Sequence, residues 1–280
     1  MCPHWQGQVY GARAPRNQWL HEYSRVFSTV EGNSTFYGIP KPDTFKRWAD
    51  ETVDGFQFVL KFPRVISHEK QLVDVELELD AFLEGVAILH DADRLGPTFL
   101  QLPPYFEPRS LSRLQNFLTS LPSQFPYAVE VRHPDWFCEP AETELNRFLN
   151  EHAIDRVIFD SRPLFSKPPT DEIETAAQQR KPKVPVRTEV TGNFPILRLI
   201  GRNDVQTVSD WVDEWATVAT SWIKQGKSPY LFAHAPDDQF APELAKLLDQ
   251  AIGNNEPHCA ETILRGPKKV ESRKVQQQLF

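Results

Sequence analysis

Cysteine is scarce in this chain of 280 residues: Cys2, Cys138 and Cys259 are the only three, widely spaced and odd in number. That pattern excludes a disulfide framework or a clustered zinc site and reads as cytosolic thiols. Long apolar runs are also missing. Nothing approaches the roughly 18 consecutive apolar residues that cross a bilayer. The opening Met1-Cys2-Pro3-His4-Trp5 has no basic stretch followed by an apolar one, so no secretory signal is visible and a cytoplasmic protein without a membrane partner is expected. Positive charge is not in excess. Thirty-one basic residues against 38 acidic give a net charge of −7, which argues against coating a duplex by bulk charge but leaves room for a local basic site. No glycine-rich phosphate loop follows any strand candidate, so no nucleotide cofactor is expected.

What is present is a rhythm of short β-branched and aromatic runs alternating with amphipathic stretches. Strands are predicted at 29–33, 56–62, 97–102, 127–132, 155–160, 196–201 and 229–234. Helices are predicted at 42–51, 72–90, 110–121, 141–152, 207–225 and 240–252. Repeated β-then-α units imply a parallel sheet flanked by helices, and a TIM-type (β/α)8 barrel is the economical closure. Two irregularities stand out. A proline-rich excursion, 163–185, follows the strand ending at Asp160 and is expected to hang over the barrel mouth as a partial lid, with Arg162 at its hinge and pointing inward. Residues 266–280 form a basic tail, leaving 1–265 as one domain.

Buried parallel strands should be almost wholly apolar. Here each carries a polar group in its C-terminal half: Glu31 and Asn33, Lys61, Gln101, Glu130 and Arg132, Asp160, Arg198, His234. Barrel active sites are built at the carboxyl ends of the strands. Glu31 and Glu130 could act as an acid–base pair, with Lys61 and Asp160 as further catalytic candidates. Lys61, Arg132 and Arg198 suit a phosphate or carboxylate. His68, His133, His234 and the carboxylates could hold a divalent metal, although no tight ligand spacing supports it. Phe36, Tyr37 and Trp136 would supply apolar walls, and Trp211, Trp215 and Trp222 at helical spacing should pack against the barrel. The competing reading is a structural ion-pair network in which Arg132 and Arg198 neutralise the two glutamates.

The run Val30-Glu31-Gly32-Asn33-Ser34-Thr35-Phe36-Tyr37 resembles the signature of the YecE-like family, a domain of unknown function numbered seventy-two. The similarity continues through Phe56–Pro63, Ile66-Ser67-His68, Leu100–Pro104, Val129–His133, Trp136, Asp160-Ser161-Arg162 and Ala235–Asp238, spanning about Pro3 to Leu248. The resemblance implies a TIM barrel and no established reaction. It also implies an apolar first strand that this chain lacks, so strand one is expected to be missing or truncated, with two sheet edges exposed and stability reduced.

Three functions stay open. The first is a hydrolase, lyase or isomerase acting on a small anionic, sugar-like or phosphorylated molecule. The second is a nucleic-acid maintenance factor that binds a phosphodiester at the mouth. The third is a non-catalytic binding protein. The chain ends Gln276-Gln277-Gln278-Leu279-Phe280, and Gln276, Leu279 and Phe280 resemble the peptide by which bacterial DNA-replication and repair proteins hold the sliding clamp.

Overall fold

A computed structural model describes residues 2–255. Cys259 and the tail, including Gln276, Leu279 and Phe280, lie outside the described residues. The elements alternate as expected. Helix α1 (Trp19–Val26) leads into β1 (Thr29–Gly32), followed by α2 (Ser34–Tyr37) and α3 (Pro42–Glu51). Next come β2 (Gln57–Leu60), α4 (Glu76–Asp91), β3 (Thr98–Gln101), α5 (Leu111–Ser120), β4 (Tyr127–Glu130) and α6 (Ala141–Glu151). Strand β5 (Asp155–Asp160) opens the excursion, which contains α7 (Arg162–Phe165) and α8 (Glu172–Arg180). The chain closes with β6 (Ile196–Ile200), α9 (Ser209–Lys224), β7 (Tyr230–His234) and α10 (Ala241–Asn255). All seven predicted strands form. Helix α1 was not foreseen, and α4 starts four residues later than its apolar pattern begins. The delay has a backbone cause: Gln71, Leu72 and Asp74 all take positive φ, which no helix tolerates.

All strand pairs are parallel: β1 with β2, and β3 through β7 in sequence order. Isolated bridges from Phe58 to Leu95 and from Lys61 to Phe99 tie β2 to β3. One side chain from each of β2 to β7 (Val59, Phe99, Ala128, Val157, Ile196 and Phe232) meets in a single apolar layer, so the strands curve around a common interior. A second, larger core lies between the strands and the outer helices. There Gly85 of α4 lies against the Phe45 ring of α3, and a Cβ at position 85 would sit 2.2 Å from that ring. Only glycine lets the two helices approach so closely.

The curve does not close by backbone pairing. Among the described residues β1 and β7 share no ladder. Between them lies a cavity of about 450 Å³ walled by Tyr23, Phe27 and Thr29 on one side and Tyr230, Leu248 and Ile252 on the other. Trp5 reaches over this gap and donates its indole N–H to the Asp238 carbonyl at 2.7 Å. The fold is therefore α/β with a curved parallel sheet of seven strands.

The excursion is ordered. Arg202, almost fully buried, pairs with Glu174 and donates to the carbonyls of Lys167 and Pro168. Ser161 donates to the Pro182 carbonyl at 2.8 Å. The return path runs down the outside of β5, where Arg187 pairs with Glu142 at 3.0 Å. No helix among the described residues is long and apolar enough to cross a membrane.

Candidate functional site

Two residues beyond each member of the apolar layer, on the same face, stand Lys61, Gln101, Glu130, Phe159, Arg198 and His234. Alternation along a strand requires this shared face. Glu31 joins them from β1. Arg198 is the hub. Its Nε and Nη2 donate to Glu31 at 2.7 and 2.8 Å, and its Nη1 donates to Glu130 at 2.7 Å. Asn33 Nδ2 donates to the Glu31 Oε1 at 2.7 Å, and Arg132 Nε donates to Glu130 at 2.6 Å. The Arg198 guanidinium lies 5.5 Å from the Phe99 ring and 5.6 Å from that of Phe159, where cation–π attraction replaces part of the lost hydration. His234 Nε2 approaches the Glu31 carboxylate to 3.3 Å, close enough for attraction but not aligned for a hydrogen bond.

Burial and charge act against each other here. Burial alone would raise both glutamates. Arg198 and His234 hold Glu31 well below the usual carboxylate range, and Arg132, Arg198 and Lys61 bring Glu130 down to about 2. Both are fixed as carboxylates. Lys61 behaves differently. Its Nζ donates to Gln101 Oε1 at 2.8 Å and sits 3.7 Å from the Phe36 ring centre, with no ion pair among the described residues. Burial, reinforced by Arg198 and Arg132, lowers its pKa to about 7 despite the two glutamates. Burial and Lys61 likewise push His68 down to about 4, and burial lowers His234.

The structure brings together Glu31, Asn33, Lys61, Gln101, Glu130, Arg132, Arg198 and His234, with Phe36 over Lys61 and His68 against Phe36 at 5.0 Å. Tyr37, largely in water, packs edge-to-face on Phe36, and the His133 ring accepts from the Asp135 backbone N–H in the turn after β4. Three expectations are corrected. Asp160 pairs in register with Leu199 and so shares the outward face; its carboxylate accepts the Trp215 indole N–H at 2.8 Å in the helix layer. Arg162 follows it outward, bonding Asp160 and Glu214, and does not point into the mouth. Trp136 is no wall of the site: it is fully buried and donates to the Phe106 carbonyl at 2.7 Å. The outer position of Trp215 and Trp222 matches their helical spacing.

One functional candidate escaped the sequence. Lys181, at the end of α8, faces the same charges: burial, then Arg198 and Arg132, lower its pKa. Its only sequence signal was a place in the excursion expected above the mouth. Counting formal charges, Arg132, Arg198, Lys61 and Lys181 outnumber Glu31 and Glu130, so the mouth favours an anion. Among the described residues no group of three or more His, Cys, Asp or Glu converges as metal ligands. A larger cavity of about 670 Å³ opens at the opposite face, walled by Phe125, Tyr127, Ile154 and Phe194. It lacks convergent charged groups, which is why the mouth is the stronger candidate.

The chain matches the family model described as protein of unknown function DUF72 over residues 1–269. It is 43% identical over 230 residues to the UPF0759 protein YecE of Escherichia coli strain K12, covering 82% of this chain and 84% of that one. It is 21% identical over 217 residues to the UPF0759 protein YunF of Bacillus subtilis strain 168, covering 72% and 77%. The crystal structure of a DUF72 family protein from Enterococcus faecalis V583 superposes with a TM-score of 0.65 at 21% identity, over 84% of this chain and 93% of the other.

Proposed function

The chain belongs to the DUF72 family, and from that premise we propose that it is an enzyme acting on a small anionic carbonyl compound, sugar-like or phosphorylated, with Lys61 as its reactive group. The observation that carries this reading is a buried lysine with a pKa of about 7 and no carboxylate partner, set among arginines. Near neutrality half of such lysines are free amines, the form that attacks a carbonyl or removes a proton. The amine adds to the carbonyl carbon, water leaves, and an iminium forms. That iminium accepts the electron pair of a neighbouring C–H or C–C bond and becomes an enamine, the proton passing to solvent water or the carbon fragment leaving as a carbonyl, the chemistry of isomerases and lyases. Glu130, held near 2, and Glu31, held well below the usual carboxylate range, are weak general bases at neutral pH, so the reactive role falls to the Lys61 amine as nucleophile and not to either glutamate. The two glutamates position Arg198, which with Arg132 and Lys181 meets the substrate anion.

The architecture we infer for this site is a (β/α)8 barrel without its first strand. The cavity between β7 and β1 and the six-stranded apolar layer support it. Thiols at Cys2 and Cys138, both unpaired, fit a cytoplasmic protein. Clamp binding by Gln276, Leu279 and Phe280 concerns residues outside the described range and stands as a separate proposal, tested by titrating a peptide of residues 266–280 with purified sliding clamp.

The test of the catalytic reading is reductive trapping. The protein is incubated with sodium cyanoborohydride and, in turn, pyruvate, glyceraldehyde 3-phosphate and ribose 5-phosphate, then weighed and peptide-mapped. One adduct at Lys61, absent from Lys61→Met, is expected. No adduct at Lys61 with any of the three overturns the reading.

A further inference from the structure

Large apolar side chains left in water are not scattered over this molecule. Among the described residues the exposed ones are Tyr37, Val73, Leu77, Tyr105 and Ile173. Each lies in a segment that follows the carboxyl end of a strand: Tyr37 after β1, Val73 and Leu77 after β2, Tyr105 after β3, and Ile173 after β5. The opposite face has none among these residues. Exposed apolar surface gathered at one face marks a binding surface.

Two of the five are aromatic, and both are tied to the groups around Lys61. Tyr37 is 81% exposed, with its ring edge-to-face against Phe36 at 5.3 Å. Phe36 in turn covers the Lys61 ammonium and contacts His68. Tyr105 is 53% exposed, and its hydroxyl donates to the His68 carbonyl at 2.9 Å. Phe36, His68 and the two tyrosines therefore form one continuous aromatic rim over the buried Lys61. The backbone beside it is strained, with Gln71 at φ 48°, Leu72 at 68° and Asp74 at 52°. Such strain persists where the surrounding structure over-determines it and clusters at ligand sites. Neither tyrosine contributes to a core, so packing does not account for their positions.

A ligand matched to this surface is anionic at one end and flat and aromatic at the other. We propose that the mouth takes a nucleoside phosphate, its phosphate among Lys61, Lys181 and Arg132 and its base stacked on Tyr37 or Tyr105. The inference rests on the anion-binding reading of the mouth and narrows it. Base–aromatic stacking tolerates any base, because each has a π-face, and contributes by substitution about tenfold or more in affinity. The absent glycine-rich loop excludes the helix-terminus mode of holding a dinucleotide, not this one. The same chemistry is offered by a free nucleotide and by the end of a single strand.

The experiment is a set of equilibrium titrations of the full chain, followed by calorimetry, with inorganic phosphate, ribose 5-phosphate, adenosine 5′-monophosphate and a pentadeoxynucleotide. The nucleotide is expected to bind about tenfold tighter than ribose 5-phosphate. Tyr37→Ala combined with Tyr105→Ala should erase that advantage and leave ribose 5-phosphate binding unchanged. Pentamer binding tighter than that of the mononucleotide identifies a strand end as the source; equal binding identifies a free nucleotide. Equal affinity of the nucleotide and ribose 5-phosphate for the native chain overturns the stacking proposal while leaving the anion site intact. Loss of the base advantage only in Lys61→Met, with the double tyrosine variant unaffected, also overturns it. Ribose 5-phosphate binding that survives Lys61→Met undamaged counts against the Lys61 reading instead, so the two failures are told apart.

Discussion

Two layers of the same interior, one strand step apart, solve burial in opposite ways. Below, Val59, Phe99, Ala128, Val157, Ile196 and Phe232 fill space with carbon alone. Above, Lys61, Glu130 and Arg198 bring charge to an equally enclosed place. The lower layer needs no partners and tolerates any packing of the right volume. The upper layer is stable only as a set, because each charge there depends on the others. A curved sheet needs the first solution to fold. The second has a cost in desolvation that stability alone does not justify, which is the physical reason to read it as a site.

The comparison can be broken most forcefully at Arg198. Arg198→Met leaves two buried carboxylates without their shared cation and should cost about 3–5 kcal/mol in urea unfolding. Adding Glu31→Gln and Glu130→Gln to it should restore most of that loss. A single-variant cost below about 1 kcal/mol would show that the upper layer is not a set at all. In the lower layer Phe99→Ala should also cost about 3–5 kcal/mol, but no second substitution of a charged residue should recover it.

Acid and base separate the two ends of the interior more finely. Lys61 is lowered to about 7 from 10.5, so between these values the unfolded chain binds more protons and stability rises with pH. Asp155, at the lower end, is raised by burial from 3.8 to about 6, so there the folded chain binds more protons and stability falls as pH rises through that window. Thermal unfolding from pH 3.5 to 10 should show the first slope vanish in Lys61→Met and the second in Asp155→Asn. The smallest effect belongs to the rim: Tyr37→Ala should move stability by no more than about 0.5 kcal/mol, because its ring is mostly in water.

The contrast also explains which parts of the molecule could be read from the chain. The strands were legible because both layers lie on period-two positions, and a polar residue at the end of an apolar run is conspicuous. Asp160 misled for the same reason. In Asp155-Arg156-Val157-Ile158-Phe159-Asp160 each face mixes charged and apolar residues, so alternation does not say which is inside; only pairing with Leu199 does. Arg162 followed Asp160 in the same error. Trp136 and Tyr37 look alike in sequence, both aromatic and just beyond a strand, yet one is fully buried and the other largely in water. What separates them is a carbonyl 30 residues away, that of Phe106, which satisfies the indole. Lys181 was hidden because the charges that act on it, Arg198, Arg132, Glu31 and Glu130, are all distant in sequence, and nothing local marks it. Helix α1 went unseen because its apolar face is largely aromatic and packs on Trp5 and Tyr10 from the preceding turns.

A closed hoop has no place to begin coming apart, whereas a strip has two ends. The sheet of this protein is a strip bent until its ends nearly meet, and what crosses the opening is not a backbone ladder but side chains, above all Arg198 reaching from β6, past β7, to Glu31 on β1, with His234 of β7 beside it. The Arg198–Glu31 pair thus belongs both to the floor of the mouth and to the clasp of the ring. Ligands that pull on Arg198 loosen the clasp, and anything that tightens it narrows the mouth. Amides of β1 and β7 should exchange their hydrogens before those of β4, and by more when the mouth is filled with an anion competing for the guanidinium.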